Sequence, residues 1–257
     1  MKKALIFSIM FITIICAQNT TKKYLSDVKQ IVNKASITMQ EKDILKAKNI
    51  CQRILSKEPN NQYSLYYSAY TDYLLMMIKL KESDANLENT LFNSAIDKCK
   101  KINQSNLLSE VNALLANLYM MKLAITPQQA PMLSMKVHEY ANKSIAMDKN
   151  NPRVYLVKAI MLFKTPRQFG GNLDAAIDQL SDAISLFSIA KKDSLLPDWG
   201  FLQSIAWLGQ MYEAKGNYKS AKATYEKALK IEPNYGWVKY VLLPALNNKT
   251  NKSRTNK

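Results

Sequence analysis

The sequence predicts an all-α protein built as a stack of helix pairs, and three observations predict it. The first is composition: 257 residues hold only six Gly and eight Pro, and 47% are apolar. Leu, Lys, Ala, Ile and Met are plentiful, so helix formers dominate and breakers are few. The second is self-similarity. GNYKSAKATYEKALKIEPN (216–234) matches GNLDAAIDQLSDAISLF (171–187) at an offset of 45, with Gly216, Asn217, Ala221, Tyr225 and Ala228 on Gly171, Asn172, Ala176, Leu180 and Ala183. KDILKAKNICQRILSKEPN (42–60) matches at an offset of 174 through Ala47, Cys51, Ile54 and Pro59. The third is a recurring joint. SKEPNNQ (56–62), MDKNNPR (147–153) and IEPNYGW (231–237) are one helix-end turn three times over, proline and asparagine stopping one helix and starting the next.

The chain opens with Lys2 and Lys3, an apolar run from Ala4 to Cys16, then Ala17-Gln18. This is the pattern of a secretory signal peptide over 1–17, with cleavage expected after Ala17, so the mature chain is expected in the periplasm or outside a bacterial cell. The alternative is a lipid on Cys16. It wants a small residue just before the cysteine and meets Ile15. No later apolar run is long enough to anchor in a bilayer. Residues 18–27 form a short lead-in.

Within each copy, small residues alternate with large ones at helical spacing. AWLGQMYEAKG (206–216) puts Leu208, Gly209 and Tyr212 on one face, and ALLANLYMMKL (113–123) repeats this with Leu115, Ala116 and Tyr119. The small residue lets a neighbouring helix approach closely, and the ring fills the gap behind it. A helix pair of this kind cannot bury its apolar faces alone, so copies must stack.

Residues 202–235 resemble a tetratricopeptide repeat: Leu208-Gly209, Tyr212, Gly216-Asn217-Tyr218, Ala221, Tyr225, Ala228 and Pro233 stand at the signature positions, with Ile205 in place of the usual tryptophan. The resemblance extends to 28–61, where Lys34-Ala35 and Thr38 depart from the pattern, and to degenerate units near 62–103, 109–150 and 152–187. It implies a right-handed superhelical solenoid of about five helix pairs over 28–248, closed by a capping helix at 237–248. NNKTNKSRTNK (247–257) carries four positive charges with no acid and no apolar residue, and 249–257 is expected to be a disordered basic tail.

The resemblance also implies an inner, groove-lining side that binds extended peptides or small ligands. If Ala69 holds the place of Gly209, the stripe Tyr63, Tyr66, Tyr70 and Tyr73 lies on that side; a register shifted by a residue or two makes the stripe core instead. The same alignment puts Asn117, Met120, Arg153, Leu156, Ile160, Phe163, Gln203, Gln210 and Glu213 there. No basic clamp for a terminal carboxylate is among them.

Catalytic chemistry is not indicated. His138 is the sole histidine and has no second ligand at metal spacing, which argues against zinc or haem. No GxxxxGK[ST], HExxH or GxSxG occurs. Cys51 and Cys99 sit among apolar neighbours in helical stretches and read as buried thiols. The Gly170-Gly171 pair in FKTPRQFGGN invites a phosphate-cradle reading, but in register it is a lengthened turn, with Phe169 free to tuck back and Asn172 or Asp174 free to cap the next helix. Net charge is +16, or +14 once Lys2 and Lys3 leave, with 34 basic against 20 acidic residues. In an exported protein that favours acidic proteins or an acidic envelope surface over nucleic acid. The expected function is a non-catalytic, cofactor-free scaffold that holds a protein or peptide segment. The alternatives are a solute-handling accessory, from the similarity of KTPRQFGGNLDAA to repeat proteins that accompany periplasmic transporters, and a structural envelope protein.

Overall fold

The computed structural model describes the backbone of residues 2–80, 85–190 and 195–255, and the side chains of 19–80, 86–190 and 195–251. The described residues form eleven α-helices and no strand. They pair in chain order: α1 (Lys2–Thr38) with α2 (Glu41–Leu55), α3 (Gln62–Lys79) with α4 (Ala85–Lys100), α5 (Leu108–Ile125) with α6 (Ala130–Met147), α7 (Pro152–Lys164) with α8 (Leu173–Ile189), and α9 (Phe201–Ala214) with α10 (Tyr218–Ile231). The side chains of the apolar start, 2–17, lie outside the described residues; its backbone continues α1. No helix among the described residues is long and apolar enough to cross a membrane.

Asparagine starts four of these helices. Asn61, Asn172 and Asn217 each accept a hydrogen bond from the backbone N–H three residues on, and Asn151 accepts from Arg153 N–H. Each bond satisfies a donor that the first helical turn leaves open, worth about 1 kcal/mol. Two of the three joints legible in the sequence, 56–62 and 147–153, are therefore caps, while 231–237 carries no side-chain cap.

The odd-numbered helices form one layer, with α1 touching α3, α3 touching α5, α5 touching α7 and α7 touching α9. The even-numbered helices pack behind them. Between the layers the small–large pattern operates as expected. A Cβ on Gly209 would fall 2.3 Å from the Tyr225 ring, so the ring of α10 occupies the space that the missing side chain of α9 leaves. Ala47, Ala176, Ala183, Ala221 and Ala228 are fully buried at the equivalent contacts.

At the C-terminus a π-helical turn, Val238–Leu242, leads into α11 (Leu243–Thr255). Pro244 lacks the N–H that an α-helix would bond four residues back, and the wider turn just before it accommodates that loss. Trp237, Val238 and Leu246 pack on α9 and α10 and close the stack. The helix continues to Thr255, through the stretch whose composition suggested disorder. Nothing in NNKTNKSRT breaks a helix, and Lys249 anchors it through an ion pair with Glu213 at 3.3 Å.

Candidate functional site

The free side of the odd-numbered layer is the inner face. Its second helix is α3, and the alternation of the sequence sets which rings it presents there. Tyr66 and Tyr70 are one turn apart, and both are buried, at 0% and 1% exposure. They are buried because the connection between α8 and α9 crosses in front of them. Residues 195–200, Leu-Leu-Pro-Asp-Trp-Gly, lie against α1, α3 and α7 at once. The Trp199 ring stacks on Tyr70 with centroids 5.2 Å apart, and Tyr70 stacks in turn on Tyr73 at 5.7 Å. Trp199 Nε1 donates to the Tyr66 hydroxyl at 2.9 Å, and the Tyr67 hydroxyl donates to the Leu195 carbonyl at 2.9 Å. Lys29 on α1 pairs with Asp198 at 3.3 Å.

Arg153, on α7, holds the other side of the segment. Its guanidinium donates to the Pro197 carbonyl and to Glu110 Oε1 of α5, the latter at 2.9 Å. It also lies over the rings of Phe187 and Trp199, 5.6 and 5.5 Å from their centroids. Burial pushes the Glu110 carboxyl up from its ordinary value, and the Arg153 charge beside it pulls the other way. Burial likewise raises the hydroxyls of Tyr66, Tyr67 and Tyr70, so these groups are neutral hydrogen-bonding partners throughout the ordinary pH range.

The expected groove residues thus divide in two. Tyr66, Tyr70, Asn117, Arg153, Leu156 and Ile160 are buried, and the open groove surface expected at them is corrected to core. The odd-numbered helices lie close enough for Tyr66, Tyr70, Leu156 and Ile160 to merge into one cluster with Trp199 and with Met211 of α9. Tyr63, Tyr73, Met120, Phe163, Gln203, Gln210 and Glu213 are half-buried. Of these, Tyr63 accepts from Asn106 at 3.1 Å, Gln203 accepts from Gly200 N–H at 3.0 Å, and Glu213 holds Lys249. The buried amide nitrogen of Gln210 has no hydrogen-bond partner among the described residues.

Sequence reasoning missed Tyr67, Lys29, Asp198 and above all Trp199. A tryptophan set between proline and glycine in a connection was the available signal, because so large a ring seldom stays in solvent. It also missed an aromatic cluster at the far end of the layer. There Phe163 and Trp207 lie 6.3 Å apart and Trp207 and Trp237 5.4 Å apart, with Lys164 Nζ 4.9 Å from the Phe163 centroid and 5.1 Å from that of Trp207.

The double glycine is a turn. Gly170 takes φ +92°, and a Cβ on Gly171 would fall 1.7 Å from the Thr165 carbonyl oxygen. The left-handed residue is therefore Gly170, one place before the register suggested. The amides of Gly170, Gly171 and Asn172 donate to the carbonyls of Arg167, Pro166 and Leu162, so none is left to bind a phosphate. Asn172 caps α8, while Asp174 pairs with Lys215 instead. Phe169 does not tuck back: it is 75% exposed, because the turn closes through backbone bonds alone. His138 is exposed, and no group of three His, Cys, Asp or Glu able to hold a metal occurs among the described residues. Cys51 and Cys99 are free and buried, each pushed up to about 12 by desolvation.

The paired helices, the Gly209–Tyr225 joint and the capped turns define a helical repeat protein. Residues 202–235, which hold α10 and all but the first residue of α9, match the tetratricopeptide repeat model. Among solved structures the chain is similar to the HusA haemophore from Porphyromonas gingivalis, 21% identical over 74% of this chain and 94% of that one, with a TM-score of 0.59. That likeness is one of fold. MamA protein is 19% identical over 85% of this chain and 96% of its own, with a TM-score of 0.33. No curated protein sequence matches the chain.

Proposed function

We infer that the protein is an exported, non-catalytic binding protein that holds a protein or peptide segment against its inner face. One observation carries this reading: Tyr67 and Arg153 present buried donors to main-chain carbonyls, those of Leu195 and Pro197. Main-chain recognition beside an aromatic slot is how an extended peptide is held with little regard to its full sequence. Phe163, Gln203, Gln210 and Glu213, all half-buried, continue the face past the covered part. Positive net charge adds salt-sensitive steering toward acidic partners.

The reading is tested with a photo-crosslinking residue at position 210 and, as a control, at Lys222 on the far face of α10. A single protein adduct from position 210, absent from position 222, is the expected result; equal labelling from both sinks the proposal. Export is tested by N-terminal sequencing of the mature protein, expected to begin at Gln18.

A second reading rests on the aromatic cluster of Phe163, Trp207 and Trp237 with Lys164 at its edge. Flat apolar rings beside a cation suit a planar anionic small molecule, and the similar fold of a haemophore makes haem the probe to try. Saturable quenching of tryptophan fluorescence by haem, lost in Trp207→Leu, supports it. Quenching that is unsaturable, or unchanged in that variant, removes it.

A further inference from the structure

The inner face already holds an extended segment, and the segment belongs to the same chain. Its contacts are those of a bound peptide. Donors distant in sequence meet its carbonyls: Tyr67 meets Leu195 and Arg153 meets Pro197. Its one large side chain, Trp199, fills a slot made by Tyr66 and Tyr70 and lies under the Arg153 guanidinium. Its acid, Asp198, remains 54% exposed while pairing with Lys29, as a charge at the rim of a bound peptide does. At Gly200 the chain takes φ +112°, a conformation suited to glycine, and turns at once into α9.

We propose that Leu195–Gly200 is an internal pseudo-ligand, and that a partner engages the inner face by replacing it with an extended segment of the same chemistry, an acidic residue followed by a tryptophan. This rests on the peptide-binding reading above and names the peptide. Removing the segment strands the Tyr66 and Tyr67 hydroxyls and costs the Arg153 guanidinium its carbonyl and its Trp199 ring, leaving its ion pair with Glu110. A replacement that lacks a matching carbonyl or ring leaves them unsatisfied, so the face discriminates by what it would otherwise leave unpaired. The tether also sets the affinity. A partner binds only the fraction of molecules whose own segment is out, and its apparent affinity is reduced by that fraction.

The test uses the full mature chain and a fluorescent hexapeptide, acetyl-Leu-Leu-Pro-Asp-Trp-Gly-amide, read by anisotropy. Trp199→Ala loosens the internal segment and is expected to bind the peptide at least about tenfold more tightly than wild type. The same peptide with alanine for tryptophan is expected to bind neither protein. Native circular dichroism with no gain in affinity overturns the proposal. Should Trp199→Ala fail to fold, hydrogen exchange on the wild-type protein decides. Amides of Leu195, Leu196, Asp198 and Trp199 that open about a hundredfold more readily than those at the centre of α3 support a segment that detaches as a unit; equal protection overturns it. A protein adduct at position 210 without any gain in peptide affinity sinks the pseudo-ligand alone and leaves the binding reading standing.

Discussion

The two ends of the inner face differ in what covers them. Around α3 and the start of α7, the face is sealed by residues 195–200, and Tyr66, Tyr70 and Arg153 are core in all but position. Toward α9 and the cap, Gln210, Phe163 and Trp207 keep part of their surface in solvent. Facing inward and being open to a partner are thus separate properties. Repeat register determines the first, and the second depends on what the connections do.

The largest test of that contrast is truncation. Tyr66→Ala and Tyr70→Ala each remove a buried aromatic ring, which costs about 3–5 kcal/mol. For a chain of this length that lowers the melting temperature by roughly 10 °C each. Gln210→Ala, at the other end, is expected to leave the melting temperature within about 1 °C while weakening capture of a partner. If the two tyrosine variants melt like wild type, the sealed half is not sealed.

A smaller effect separates face from joint. Gly209 lies behind the open end, where its missing side chain makes room for the Tyr225 ring, 2.3 Å from the position a Cβ would take. Gly209→Ala forces that ring to move and is expected to cost about 2 kcal/mol, typical of overpacking a tight contact. Peptide binding should be little changed, because the strain falls between the layers. A differential scanning melt checks the first point and anisotropy the second.

Much of this was legible in the sequence, and the reasons are local. The helix pairs follow from small residues at helical spacing, such as Ala221, Tyr225 and Ala228, and the joints follow from asparagines whose caps act over three residues. Both signals lie within a single repeat. The seal over the inner face was not legible, since it couples residues more than a hundred positions apart, Tyr66 with Trp199 and Tyr67 with Leu195. No periodicity encodes such a contact. Phe169 shows the reverse failure: a ring beside a turn suggested packing, yet the turn is closed by its own backbone and the ring is left in solvent.

The sealed half also holds the two thiols, which give the contrast a pH dependence. Folding raises Cys51 and Cys99 from an ordinary value of 9.0 to about 12. Above pH 9 the unfolded chain releases these protons and the folded chain keeps them. The unfolded state then binds fewer protons, so stability falls as pH rises. By pH 9.5 the loss is about 1 kcal/mol per thiol relative to pH 8. Melting temperatures should fall over that range, and Cys51→Ala with Cys99→Ala should make the fall shallower, the remainder coming from the buried tyrosines. Equal slopes in both proteins would mean that the thiols are reached by solvent in the folded state.

The smallest expected effect belongs to the surface of the open half. Asp174, one residue into α8, reaches Lys215 beside the next turn at 2.6 Å, and the pair links the turns of adjacent repeats. The Lys215 ammonium holds the Asp174 carboxyl below its usual range. Any stability from this pair is therefore present above the unfolded carboxyl's pKa and is lost as pH falls through the folded one. Both side chains are more than half exposed, so water and salt screen the attraction. A double-mutant cycle with Asp174→Ala and Lys215→Ala should give a coupling within the error of a melting experiment at physiological salt, emerging only at low ionic strength. A coupling that survives high salt would make this link part of what fixes the angle between the last two repeats, and with it the width of the open half.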